Sequence, residues 1–539
     1  MKADAVVIGA GSNGLVAANL LADRGWEVVV VEENEQPGGS VRSGEITQPG
    51  FVHDLFSSFY PLAAASPFLR GLELEHFGLR WRRSDVAVAH PTRDGTCPII
   101  ATDLAETAAS LDAFAPGDGD AWRDLYGLWE RAGSAVLGLL FEQFPPLRAA
   151  GRLGRRLGYD GAARFARMGL MGVRRLGEET FAGQGGPRLL AGNAVHADLP
   201  PETPPSAIYG WVLCALAQQV GFPVPEGGAG QLTAALVARL ESLGGRVLCG
   251  QRATAITVGG GRARGVVRGG REPVEAARAV LADVGAPQLY GELLDPALVP
   301  GRLREDLRHF QYDSSTVKVD WALDGPIPWS APDARRAGTV HVAEGVDALT
   351  GSSADLSRGR IPAEPYLVMG QYGHFDPTRS PAGKETAWAY THVPQRVRGD
   401  AGGELTGRWD DDEAAVFAER IEEQVEALAP GFRDLIRGRH VFVPPTMERE
   451  NRNLVGGAIN GGTSQLHQQL VFRPTPSLAR PETPVDGLFL ASASAHPGGG
   501  VHGACGAHAA LAAVAAQRRA PRPMAALSRA LQRGGARGR

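Results

Sequence analysis

Gly9-Ala10-Gly11-Ser12-Asn13-Gly14 sets three glycines at GxGxxG spacing, directly after an apolar run, ADAVVI, and at the start of a helix-compatible stretch. In that context the first glycine permits a tight turn. The second lets backbone approach a diphosphate, and the third lets a helix pack close against a strand. The helix N-terminus opening at Ser12 presents free N–H donors and the positive end of its dipole to an anion. Glu32 ends the next apolar run, EVVVV, where a carboxylate is placed to accept hydrogen bonds from ribose hydroxyls. The set reads as a dinucleotide-binding unit. The alternative is an ordinary strand–turn–helix in a chain holding 71 glycines.

Two further glycine runs carry the same kind of signal. Pro37-Gly38-Gly39-Ser40-Val41-Arg42-Ser43 follows shortly after Glu32, offering a second close backbone approach with a guanidinium to balance phosphate charge. Alone, it is equally a glycine turn with a solvated arginine. Near the other end, GLFLASASAHPGGGVHGACG (487–506) runs from a short apolar strand through small residues and three glycines into an alanine-rich helix. Ser492, Pro497, Gly498, Gly499, Gly500 and Val501 are its candidate binding positions. His496 and His502 flank the glycines, and His196 sits in a loop before an apolar helix. Histidine suits proton transfer near neutral pH, so these three are the candidate acid–base residues, each with a structural or polar-lining role as the plainer alternative.

Elements must hold these runs together. Residues 3–8, 12–24 and 27–31 read as strand, helix and strand, one βαβ unit. Residues 81–221 look mostly helical, with a basic and apolar stretch at 147–176 and an apolar helix candidate at 207–217. The run 223–245 ends in an amphipathic helix. GGGRARG (259–265) lies between two strands, which fits a hairpin rather than a phosphate loop. Residues 311–325 and 363–393 are strand-rich, 409–428 is an amphipathic helix, and the arginine-bearing tail from 517 reads as a frayed, solvated end.

At 539 residues the chain exceeds the size at which one core keeps growing, so two or more domains are expected. A net charge of -4 gives no general attraction to nucleic acid. Cationic charge is carried by arginine with only Lys2, Lys318 and Lys384 besides, which reads as codon bias. Cys97, Cys214, Cys249 and Cys505 lie far apart and form neither a dithiol nor a metal motif, so a reducing compartment is expected and no metal site. No leader pattern and no spanning-length apolar run is visible, which points to a cytoplasmic protein, soluble or attached at most to a membrane surface.

Taken in order, the three glycine runs resemble the phytoene-desaturase type of FAD-dependent oxidoreductase, relatives of the amine oxidases. SGEITQPGFVHD (43–54), AGNAVHADLPPETP (191–204), PVPEGGAGQLTAAL (223–236), AVLADVGAP (279–287) and VPPTMERENRNLVGGAINGG (443–462) resemble further segments of that family. The likeness is weakest over 81–185. It departs at Ser492, where the family usually has glycine near the ribityl-phosphate chain.

The resemblance implies an α/β fold with a discontinuous Rossmann-like FAD domain (1–80, 222–300, 481–516). A helical cover (81–221) and a mixed-sheet substrate domain (301–480) complete it. It implies non-covalent FAD, with the 487–506 helix N-terminus facing the flavin ring, and hydride transfer from a C–H bond of a lipophilic substrate to flavin N5. With no second GxGxxG unit, oxygen or a quinone is the expected electron acceptor. Amine oxidation, which calls for an aromatic cage, a redox-neutral isomerisation, and a non-catalytic binding module remain alternatives. The 147–176 stretch reads as an active-site cover, or as a surface lying on lipid.

Overall fold

The computed structural model describes residues 1–476 and 478–517. The tail expected from 517 onward therefore lies, past Gln517, outside the described residues.

Four consecutive β-branched residues, Val28–Val31, and the run Lys2–Ile8 form neighbouring strands of one seven-stranded sheet. Such runs are apolar on both faces because helices cover both sides of a parallel sheet. Lys2–Ile8 pairs in parallel with Val28–Val31 on one side and with Arg271–Ala282 on the other. Arg246–Leu248 extends the sheet beyond Val28–Val31, and Leu488–Leu490 pairs in parallel with the end of Arg271–Ala282. Segments hundreds of residues apart thus share one sheet, with Ala5, Val6, Val280 and Leu281 fully buried in it. The hairpin of Ala253–Gly259 and Arg262–Arg268 turns at Gly260 and Gly261, both at positive φ, as GGGRARG suggested.

Two helices cross that sheet side by side. Ser12–Ala22 follows the first glycine run and Ala504–Gln517 follows the last. Their approach requires glycine: a Cβ built on Gly506 would lie 1.8 Å from the Asn13 carbonyl oxygen, and one on Gly503 2.7 Å from Val16.

A second seven-stranded sheet has the order Ile436–Phe442, Ser315–Leu323, Glu385–Val393, Leu367–Gln371, Ala337–Val342, Val86–Ala89 and Ile99–Ala101. The last two strands correct the expectation that helix begins near 81. Their alternating valine and alanine or isoleucine residues are buried on both faces, which removes the polar–apolar period that marks a half-exposed strand. Beyond them, helices Leu104–Asp112, Asp118–Phe141, Val173–Thr180, Gly185–His196 and Ser206–Val220 pack around Trp122, Trp129 and Trp211. The helical run Leu147–Gly169 is interrupted at Gly158, whose φ is 67°. The overall architecture is the expected α/β fold.

A buried ionic cluster ties the loop between Leu367–Gln371 and Glu385–Val393 to the short strand His53–Asp54. Arg379, fully buried, bridges Asp54 at 2.8 Å and Asp376 at 2.9 Å and stacks 4.1 Å over the Tyr372 ring. Asp54 also accepts the Ala229 amide and Asp376 the Gly227 amide, so the PEGGAG turn is held from both sides.

Candidate active site

The glycine runs converge on one cavity of about 650 Å³. At one end its wall is Gly11, Ser12, Asn13, Gly39, Ser492 and Pro497, Gly499, Gly500 and Val501. Gly14 admits the helix: a Cβ there would lie 2.2 Å from the Gly9 carbonyl. Gly39, at φ 56°, abuts Gly11, with its hypothetical Cβ 3.2 Å from the Gly11 Cα. The Gly38 amide donates to Ala10 O at 2.8 Å, fastening the second run to the first. Gly498 and Gly500 adopt φ near 110° and 106°, a left-handed backbone that costs other residues.

The structure assigns Gly11 a constraint beyond backbone approach. Its hypothetical Cβ meets the Asp283 carboxylate at 2.7 Å. Asp283 was not singled out from sequence, although AVLADVGAP was. It lies where Arg271–Ala282 ends, lines the cavity, and accepts the Gly14 amide at 2.8 Å. Burial pushes its carboxyl up to about 7, against the Gly14 hydrogen bond. Glu32 accepts the Ala10 amide at 2.7 Å and the Asn34 amide at 2.8 Å, and burial raises its carboxyl as well. Those two bonds leave each carboxylate oxygen a further lone pair for a ribose hydroxyl.

Arg42 and Ser43 point elsewhere. Arg42 donates to the carbonyls of Gly39 and Glu450, each at 3.0 Å, and lies over Phe56. Ser43 joins Asp54 and the Gly230 amide, both at 2.9 Å. Both secure the turn rather than line the cavity. Glu226, in the same turn, pairs with Arg82 at 2.6 Å.

The three histidines separate. His496 and His196 line the cavity, but His502 does not. Instead His502 Nδ1 accepts the Ala504 amide at 3.0 Å, capping the last helix, and its ring meets Phe141 edge-on. His496 packs between Phe144 and His508. His196 contacts His341, Phe222 and Tyr390. Burial lowers His496 to about 3 and His196 and His502 to about 4, so all three are neutral at physiological pH.

The far end of the cavity is apolar: Phe59, Leu62, Val136, Leu137, Leu139, Leu140, Phe165, Ile208, Val212 and Phe222. The helical run Leu147–Gly169 lays Phe165, Ala166 and Gly169 on it, which makes this run a cover. Sequence reasoning missed Lys318, one of only three lysines, buried in the floor of the cavity. Its rarity was the available signal. Arg473 was missed too. Fully buried, it donates only to carbonyls, those of Ala493, Asn460, Gly462 and Thr463, and so shapes the turns beneath the Gly498–Gly500 loop. The cysteines offer no thiolate: burial raises all four, Cys97 and Cys505 to about 12.

Residues 7–70 match the NAD(P)-binding Rossmann-like domain family. The chain is 28% identical over 94% of its length to "Pyridine nucleotide-disulfide oxidoreductase domain-containing protein 2" of Rattus norvegicus, of which 92% is covered. It is 27% identical to the zeta-carotene-forming phytoene desaturase of Myxococcus xanthus, over 92% of this chain and 90% of that one. Among solved structures, putrescine oxidase bound to putrescine superposes with a TM-score of 0.60 at 15% identity, covering 96% of this chain and all of the other. The chain is thus similar along nearly its whole length to carotenoid desaturases and shares the amine-oxidase fold. Among the described residues no helix is long and apolar enough to cross a membrane.

Proposed function

We propose that this chain, an oxidoreductase of the flavin-dependent type, binds FAD non-covalently and takes a hydride from a C–H bond of a lipophilic substrate. The observation that carries this reading is the continuity of one cavity from the glycine cradle to an apolar vault. The cradle fits the group: Gly11, Ser12 and Gly39 would bracket the diphosphate, Glu32 the ribose, and the Ser492–Val501 turn the ring. When bound, flavin supplies the two-electron acceptor.

The chain's own residues do the rest. Leu62, Val136, Phe165 and Ile208 exclude water and hold an apolar substrate. Neutral His196 and His496 line the space without adding charge. Among the described residues Asp283 is the only carboxylate on the cavity wall, and it lies at the cradle end, away from the vault where an ammonium would need an anion. That favours dehydrogenation of a lipophilic compound over amine oxidation. With one nucleotide cradle among the described residues, oxygen or a quinone is the proposed electron acceptor, read by stopped-flow reoxidation of the photoreduced protein. Faster reoxidation by a nicotinamide nucleotide would reject it. Exposed Leu147, Tyr159 and Leu170, with Leu470 and Phe472, flank the covering segments and suit delivery from a lipid surface. Absence of co-sedimentation with anionic vesicles would remove that element.

Denaturing the purified protein should release FAD, seen by absorbance and mass. Gly11→Val should abolish its retention. A chain that neither carries flavin nor takes it up at micromolar concentration would overturn the reading.

A further inference from the structure

The vault is apolar, but its floor is not. Thr316, Lys318 and Asp320 alternate on one strand, so their side chains share one face of the second sheet. Across from them stand His392, Tyr390 and Trp388, paired in that order. Gly370 opposite Trp388 makes room for the indole, since a Cβ there would sit 2.5 Å from its ring. Thr316, Lys318, Tyr390 and Trp388 all line the cavity.

Lys318 is 1% exposed. Its ammonium contacts the Asp320 carboxylate and lies 5.7 Å from the centre of the Trp388 ring. Asp320 in turn faces His53 Nδ1 at 3.4 Å, and His53 Nε2 bonds to Thr47 at 2.7 Å. Among the described residues the ammonium donates one hydrogen bond, to Asp320, of the three it can make. Beside it, buried Thr316 Oγ1 has no hydrogen-bond partner among the described residues, although it lines the cavity. Tyr390 is committed: its hydroxyl donates to the His196 carbonyl at 3.2 Å.

An apolar wall has no reason to carry such donors, because a buried polar group without a partner is costly. We infer that the substrate is not a plain hydrocarbon: it carries a neutral carbonyl oxygen that accepts from Lys318 Nζ and Thr316 Oγ1, its apolar body filling the vault. The oxygen is neutral because Asp320 already balances Lys318. A carboxylate would add an uncompensated buried charge, and an ammonium would meet a like charge. Held by those two donors, the carbonyl makes the C–H bonds beside it more acidic. This inference rests on the proposed function and deepens it by naming the substrate's polar group.

The test is equilibrium binding, without turnover. The flavin-bearing protein is titrated with methyl octyl ketone, decane, decanoate and decylamine in one cyclodextrin carrier, followed by calorimetry and tryptophan fluorescence. The ketone is expected to bind about ten-fold more tightly than decane, the scale of a hydrogen bond from a charged donor. It should also outrank decanoate and decylamine. Lys318→Met and Thr316→Val, compared only in protein that retains FAD, should each reduce the preference over decane severalfold. Equal binding of ketone and decane, tighter decanoate or decylamine, or an undiminished preference in both variants would overturn the inference. The ligand comparison in the unmodified protein decides even if one variant fails to fold. Equal binding of ketone and decane by an unmodified protein that retains FAD sinks this inference alone, whereas absence of FAD sinks the function it rests on.

Discussion

Asp283 Oδ2 accepts the amide of Gly14 at 2.8 Å, so a carboxyl from the third parallel segment closes the turn made by the first. Its carboxyl, raised to about 7, lies well above the ordinary aspartate range. The folded chain therefore holds a proton there that the unfolded chain has lost between about pH 4 and 7. Stability from this group is fully present below pH 4 and is lost as pH rises through 7. Asp283→Asn keeps an acceptor for Gly14 and removes the titration. It should gain stability relative to the parent as pH rises from 4 to 7, on the order of 1 kcal/mol per unit. Thermal melts across that range check it, and parallel curves for the two proteins would contradict the assignment.

His502 shows the opposite sign. Burial lowers it to about 4, so between pH 6.5 and 4 the unfolded chain is protonated and the folded chain is not. Its contribution is present above pH 6.5 and is lost as pH falls through 4. His502→Asn preserves an acceptor near Ala504 without that titration. The variant should lose less stability than the parent on acidification, by about 2–3 kcal/mol over the window. Urea titrations at several pH values measure the difference, and an unchanged acid slope would show that this ring does not govern it.

Gly506 and Gly151 make a matched pair of substitutions. At Gly506 an added methyl would collide with the Asn13 carbonyl, so Gly506→Ala should destabilise by about 3 kcal/mol through overpacking and reduce flavin retention. At Gly151, within an exposed helical stretch, nothing lies within 4 Å of the new Cβ. Gly151→Ala should stabilise by about 0.5–1 kcal/mol from helix propensity. Denaturant midpoints compare them directly. Equal effects would mean the two helices are not in contact at Gly506.

Arg379 joins Asp54 and Asp376 with no exposure of any partner. Arg379→Met leaves two buried carboxylates without a cation and should cost about 3–5 kcal/mol. Arg379→Lys keeps the charge but lacks the planar fork that reaches both acids and Pro225 O, so it should recover only part of that loss. Soluble yield and unfolding midpoints report the order arginine, lysine, methionine, and equivalence of lysine and arginine would reject the bridging role.

The local chemistry of this chain is written in the sequence. GxGxxG after ADAVVI, and Glu32 after EVVVV, act through turn geometry and strand alternation over about thirty residues, and the parallel strands stand where those runs placed them. The likeness to flavin-dependent desaturases was legible for the same reason, because glycine positions survive as a linear pattern. Tertiary structure alone decided which polar groups share a wall. Asp283 meets Gly14 across 269 residues, and Lys318 reaches the cavity because strand pairing sets it opposite Tyr390. His502 stands beside the glycines in sequence, where spacing suggests an acid–base role, yet the chain turns its ring inward to cap a helix. Sequence spacing fixes which side of a strand or helix a residue occupies, but not which distant segment packs there. That is set by burial of apolar surface summed over the whole fold, and a single sequence window does not contain it.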